Sequence, residues 1–385
     1  PRHIEGLRGG LRGDAAAFRL NRTAMVSMLR RSFLTQMLLI GTGLTGLTAG
    51  TATRARGQDQ PATSQPAPVP STTAIRFSLD HPVDGTSAPF FLALADGYFR
   101  DAGLSVAIDV AKGTDDAIVR VASGSSDIAL ADINALIRFR DTANGSPVKA
   151  VFVMFNRAPY AIVARKSRGI RALADIEGKT IGVAEGDLGI RLWPALAEQN
   201  GIKPGAVKLQ RIGAAVREPM LSAGQVDAVT GSSYLSALNL RDRGIPADDI
   251  AVLRFADYGS SAYGAALIVN PSFAGSKPEA VLGFVRAVLQ GLRKTIDDPN
   301  KAIDAVMTHI NGGSRELELE RLRTALNDNI ITAEVRHNGF GGIDPARLSK
   351  SIDDIGLDYK FRQKPTAADI FDPAFLPPAE ERQLR

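Results

Sequence analysis

Two stretches a hundred residues apart carry the same phrase: "VASGSSDIALAD" from Val121 to Asp132 and "LSAGQVDAVTGS" from Leu221 to Ser232. In each a glycine, Gly124 or Gly224, closes a helix, because a left-handed residue without a Cβ escapes a steric clash there. An aspartate, Asp127 or Asp227, follows three residues later and opens an apolar strand of the kind buried in a parallel sheet. Gly-x-x-Asp alone would mark any helix-to-strand turn. Its recurrence at the third strand of two successive units constrains the chain to two similar α/β lobes.

The surrounding pattern fits. "AIRFSLD" (74–80), "LSVAIDVA" (104–111), "DIALAD" (127–132) and "VKAVFVMF" (148–155) read as strands separated by helical stretches, an order that gives a mainly parallel sheet. After "PYAIVARKS" the chain restarts with "TIGVAE", "VKLQRIG", "DAVTG" and "IAVLRFAD", again alternating with helices. An apolar strand at 263–270 then leads into a nearly all-helical remainder, from "KPEAVLGFVRAVLQGLRKTIDD" to "DPARLSKSIDDIGL". With no third sheet to build, those helices are expected to cover lobe one. The expected partition is lobe one at 75–164 and 266–385, with lobe two at 165–265 inserted by two crossings near 161–167 and 262–268. Two crossings make a hinge.

The formal charge of +5 suggests a nucleic-acid or membrane-surface partner, and that impression is misplaced. Residues 1–57 hold nine arginines against Glu5 and Asp14, leaving 37 basic against 39 acidic residues in the rest. The basic leader, with Arg30 and Arg31 before an uncharged run from Ser32 to Thr53, reads as an export signal, and "RRSFL" resembles the twin-arginine motif. Residues 1–24 read as an upstream extension. Gly41, Gly43, Gly46, Gly50 and five threonines dilute the run, which favours a cleaved signal over a retained anchor. "QDQPATSQPAPVPSTTA" (58–74) reads as a tether. The chain has no cysteine, so disulfides, a lipid anchor and thiolate metal sites are excluded.

In order along the chain, "APFFLALADGYFRDAGLSV", "ASGSSDIALAD", "LADIEGKTIGV", "LAEQNGI" and "LSAGQVDAV" resemble the phrases of solute-binding proteins of ABC importers, of the nitrate/sulfonate/taurine and thiamine-pyrimidine-precursor type. The resemblance covers roughly 75–300 and implies a two-lobed, type II periplasmic-binding-protein fold that closes on a small solute. The same resemblance implies delivery to an inner-membrane permease and its ATPase, a periplasmic location, a monomer, and no nucleic-acid partner, metal or cofactor. A synthase of the thiamine pyrimidine shares the fold but uses a cysteine-rich motif, which this chain lacks. No G-x-S-x-G or H-E-x-x-H is present either.

In open α/β sheets ligands sit beyond the carboxyl ends of strands. The loops there supply His81, Asp84, Thr86, Lys112, Thr114, Asn134 and Arg157 in lobe one, and Asp187, Arg191, Arg217, Ser232, Ser233 and Tyr234 in lobe two. Thr86, Thr114 and Ser232 serve equally well as helix caps, and Trp193 reads as core or as a ligand platform. Where the family offers a hydroxyl in the first turn of lobe two, "EGDLGIR" places Asp187, Leu188 and Gly189. Arg157, Arg191 and Arg217 together lead to the expectation of an anionic organic solute, since a guanidinium matches a carboxylate bidentately. For the leader the expected outcome is a mature chain starting between Ala49 and Gln60. N-terminal sequencing of protein recovered from the periplasm checks it, and an intact 25–45 segment on cytoplasmic protein would contradict export.

Overall fold

The computed structural model describes residues 72–142 and 146–384; the leader and most of the tether lie outside the described residues. Among the described residues ten strands form two five-stranded sheets. The first contains β1 (Thr73–Leu79), β2 (Leu104–Val110), β3 (Ile128–Asp132) and β4 (Lys149–Val153). The second contains β5 (Tyr160–Arg165), β6 (Thr180–Ala184), β7 (Lys208–Ile212), β8 (Ala228–Ser232) and β9 (Ile250–Arg254), while β10 (Ala265–Val269) returns to the first. The orders are β2-β1-β3-β10-β4 and β7-β6-β8-β5-β9. Each sheet is mixed: β1 runs parallel to β2 and β3, and β6 to β7 and β8, whereas β10 and β5 are antiparallel to both their neighbours.

The repeated phrase has the same structural task in both lobes. Gly124 and Gly224 cap their helices with φ of 76° and 77°. The amide of Asp127 donates to the Arg76 carbonyl (2.9 Å), and its carboxylate accepts from the Arg76 amide (2.8 Å). Asp227 repeats this on Thr180 at 2.9 and 2.7 Å. The aspartate therefore clips the entry of the third strand to the first strand of its unit and sets the register, Phe77 opposite Ile128 and Ile181 opposite Ala228.

The antiparallel strand in each sheet is the one that has just arrived from the other lobe. The crossings span 154–159 and 255–264, so β5 belongs to the second sheet and the lobe boundary falls one strand earlier than 164/165. All but the last residue of β5 are buried, so no polar alternation distinguished its two possible sheets.

The helical remainder covers lobe one. The helix Pro278–Asp297 inserts Phe284 between Phe77 and Phe99, with ring centroids 5.1 Å from each. Gly291 permits its close approach to the helix Ala88–Ala95, since a Cβ there would stand 2.2 Å from the Pro89 carbonyl oxygen. The helix Pro345–Asp358 goes further than expected and also packs against the lobe-two helix Trp193–Gln199. Trp193 is buried core. Among the described residues no helix is long and apolar enough to cross a membrane.

Replacing Asp227 by alanine strands the Thr180 amide, and leaving such a group unsatisfied costs about 1 to 3 kcal/mol. Urea unfolding of Asp227→Ala is expected to show a loss of that order. Asp227→Asn, which keeps an acceptor, is expected to lose less.

Candidate functional site

The carboxyl ends of β1 and β3 from one lobe and of β6 and β8 from the other face a common cleft of about 280 Å³. Lobe one contributes Asp80, His81, Thr86, Thr114, Asp132 and the apolar Phe90 and Leu130, with Met154 at the start of the first crossing. Lobe two contributes Tyr160, Gly186, Asp187, Leu188, Arg217, Ser232 and Tyr234. Phe155 and Pro159, on the first crossing, line the floor between them. Phe155 and Tyr234 meet edge to face, with centroids 5.9 Å apart.

Two polar clusters organise the walls. In the first, the His81 ring lies 2.7 Å from Asp80 and 3.7 Å from Asp84. Burial opposes a charge on this imidazole, but the two carboxylates outweigh it and raise its pKa to about 10. Asp84 stands behind the wall, where its carboxylate accepts from the Thr86 amide and hydroxyl at 2.8 and 2.6 Å. Burial pushes its pKa up, and the His81 contact overrides this and holds it below the usual carboxylate range. In the second cluster Asp132 ends β3. Its amide donates to the Thr114 hydroxyl (2.7 Å), and its carboxylate accepts from the Asn134 amide (2.8 Å) and from the Tyr160 hydroxyl (2.5 Å). Tyr160 belongs to β5, so this last bond joins the lobes across the cleft. Burial raises the pKa of Asp132, and it raises Tyr160 well above the ordinary phenol value, so the hydroxyl stays the donor.

Seven of the residues singled out from sequence therefore line the cleft: His81, Thr86, Thr114, Asp187, Arg217, Ser232 and Tyr234. The other six do not. Asp84 is the support just described. Lys112 is exposed, and its amide caps back onto Asp116 (2.8 Å). Asn134 is buried beneath the floor, donating to Tyr160 Oη (3.0 Å) and the Tyr263 carbonyl (2.7 Å). Ser233 is buried, with its amide on the Pro159 carbonyl. Arg157 is held through its main chain by Asn329, and Arg191 pairs with Asp358 at 3.3 Å on the surface.

The three arginines on which the expectation of an anion rests are not gathered at the cleft. Of the three only Arg217 reaches the cleft, and there its Nη1 lies 3.8 Å from the Asp187 carboxylate and 3.1 Å from the Thr230 carbonyl. The carboxylates of Asp80, Asp132 and Asp187 share the cleft with Arg217 and His81, so each cation stands near an acidic side chain, while Arg217 Nε is buried without a hydrogen-bond partner. Sequence reasoning passed over three lining residues at strand termini: Asp80, which follows β1, Asp132, which ends β3, and Tyr160, which opens β5. An aspartate closing an otherwise apolar strand, as in "IALAD", is the signal that would have found one of them.

Among the described residues no group of histidines and carboxylates is arranged to hold a metal. The chain is 29% identical over 293 residues to the riboflavin-binding protein RibY of Chloroflexus aurantiacus, covering 74% of this chain and 79% of that one. It is also 29% identical over 242 residues to a 4-amino-5-hydroxymethyl-2-methylpyrimidine phosphate synthase of Saccharomyces cerevisiae, covering 60% and 70%. Its fold is that of the periplasmic aliphatic sulphonate-binding protein SsuA of Escherichia coli, with a TM-score of 0.61 at 16% identity over 82% of this chain and 93% of that one.

The charged state of His81 gives a pH prediction. A histidine whose folded pKa lies near 10, against about 6.5 unfolded, contributes stability that is complete below the unfolded value and is lost as pH rises to the folded one. The gap in unfolding free energy between the parent and His81→Gln is therefore expected to be largest at pH 6 and to shrink toward pH 10, as read by urea titrations across that range.

Residues 85–302 match the family model described as NMT1/THI5 like, and with its two-sheet periplasmic-binding-protein fold the chain belongs to that family.

Proposed function

We propose that the protein is the extracytoplasmic solute-binding component of an ABC importer, and that its two lobes close over a planar, uncharged or amphoteric nitrogen heterocycle. The observation that carries the ligand class is the internal charge balance of the cleft. An anion would need a free cation, and Arg217 and His81 already face carboxylates. The Asp80 and Asp187 carboxylates can accept from ring N–H or amino groups, and Phe90, Phe155 and Tyr234 offer apolar and aromatic surface to a flat ring. The likeness to a riboflavin-binding protein and to a pyrimidine phosphate synthase supports a heterocycle.

Closure is the mechanism. A ligand seated between Asp132 and Thr114 on one side and Asp187 and Ser232 on the other gains both sets of contacts only when the lobes approach, which shifts the population toward the closed state. The closed form is then what a permease receives at the membrane, and the export leader read from the sequence supports a periplasmic location. Synthase chemistry is the second reading, favoured by the similarity to the yeast enzyme. The lack of cysteine speaks against it.

A ligand at one hundred times its dissociation constant stabilises the folded state by roughly 2.7 kcal/mol. In a thermal-shift screen riboflavin or an aminopyrimidine is expected to raise the midpoint, and taurine is expected to leave it unchanged. Stabilisation by taurine alone would overturn the ligand class. Release of a phosphorylated pyrimidine during the incubation, followed by chromatography, would favour the synthase.

A further inference from the structure

The C-terminal region does more than cover lobe one. Arg347, on the helix Pro345–Asp358, reaches the place where the two crossings run side by side. A guanidinium has five N–H donors in a fixed fork, and here each has an acceptor. Nε donates to the Ser261 carbonyl (2.6 Å). Nη2 donates to the carbonyls of Asn156 (2.6 Å) and Ala262 (3.3 Å). Nη1 donates to Asn156 Oδ1 (3.2 Å) and to the Glu334 carboxylate (2.5 Å). The same group lies 3.8 Å above the ring of Tyr263, whose hydroxyl donates to Glu334 (2.7 Å). Asn156 belongs to the outgoing crossing; Ser261, Ala262 and Tyr263 belong to the returning one.

The two crossings also bond each other at this end, Gly264 amide to Phe155 carbonyl (2.8 Å) and Ala158 amide to Ala262 carbonyl (3.0 Å). Both are thus fixed to lobe one within a few residues of β4 and β10. On the lobe-two side lie Pro159 and residues 255–260, which include Gly259 at φ 98°.

We propose that Arg347 is a positioning residue for lobe closure: it rivets both crossings to lobe one, so that bending is confined to Pro159 and 255–260. The inference rests on the closure reading above. A lysine cannot replace the fork, because a single ammonium presents three donors from one point and cannot span two chains.

The absence of cysteine lets dyes be placed at Val119→Cys in lobe one and Leu209→Cys in lobe two, both exposed positions. Single-molecule energy transfer on the ligand-free full chain then reports the distance between lobes. In the Arg347→Lys background the distance distribution is expected to be broader than the parent's, with riboflavin binding weakened about tenfold through faster dissociation. Glu334→Gln, a milder change, is expected to broaden it less in the same direction, and it serves if the lysine variant fails to fold. An unchanged width in folded variants, whether or not the melting temperature falls, would overturn the rivet. A parent with the same distance with and without bound riboflavin would instead remove the closure reading, and the ligand-free comparison stays readable without it.

Discussion

One carboxylate, used twice, sets the frame on which the rest of the molecule depends. Asp127 and Asp227 each pair both faces of a single peptide position in the neighbouring strand, main chain to main chain and side chain to main chain. Side chains alternate with a period of two along a strand, so a one-residue slip would turn every buried side chain of β3 or β8 outward. The clip removes that freedom at the edge of the sheet where the strand enters. At the other end of the same strands stand Asp132 and Ser232, both in the cleft. Fixing the entry of the strand fixes the position of its last residue.

The two lobes are joined by exchange. Each sheet takes one antiparallel strand, β5 or β10, directly from a crossing, so neither sheet is complete without a chain segment that has just left the other. The crossings are consequently short and central, and the cleft floor is built partly from them, through Phe155 and Pro159. Asn134 ties the same region from beneath, with one amide group bonded to Tyr160 of lobe two and to Tyr263 of the returning crossing. Helices beyond residue 300 supply the remaining support through Asn329, Thr332, Glu334 and Arg347, which hold Asn156, Arg157 and Tyr263.

The electrostatics of the cleft follow from this geometry. His81 is charged because Asp80 and Asp84 flank it, and Arg217 faces Asp187 in lobe two. Buried charges persist only near compensating groups, and here each lobe sets its cation beside its own carboxylates. The cleft thus presents acceptors and aromatic surface where a cluster of free guanidinium groups was expected.

The sequence alone determined the two α/β units, nearly every strand and the strand ends from which the cleft is built, because those features are written locally. A glycine that tolerates a positive φ, an apolar run of five to seven residues and an aspartate at a fixed offset all act within a dozen residues. Only the tertiary structure decided which sheet receives β5, since five of its six residues are buried and such a strand fits either lobe equally. It also decided that Arg191 turns outward to Asp358, that Arg157 is held by its main chain, and that Arg347, nearly two hundred residues from Asn156, closes on both crossings. Charge partners distant in sequence leave no local pattern, because what selects them is the meeting of surfaces that exist only after the lobes have formed.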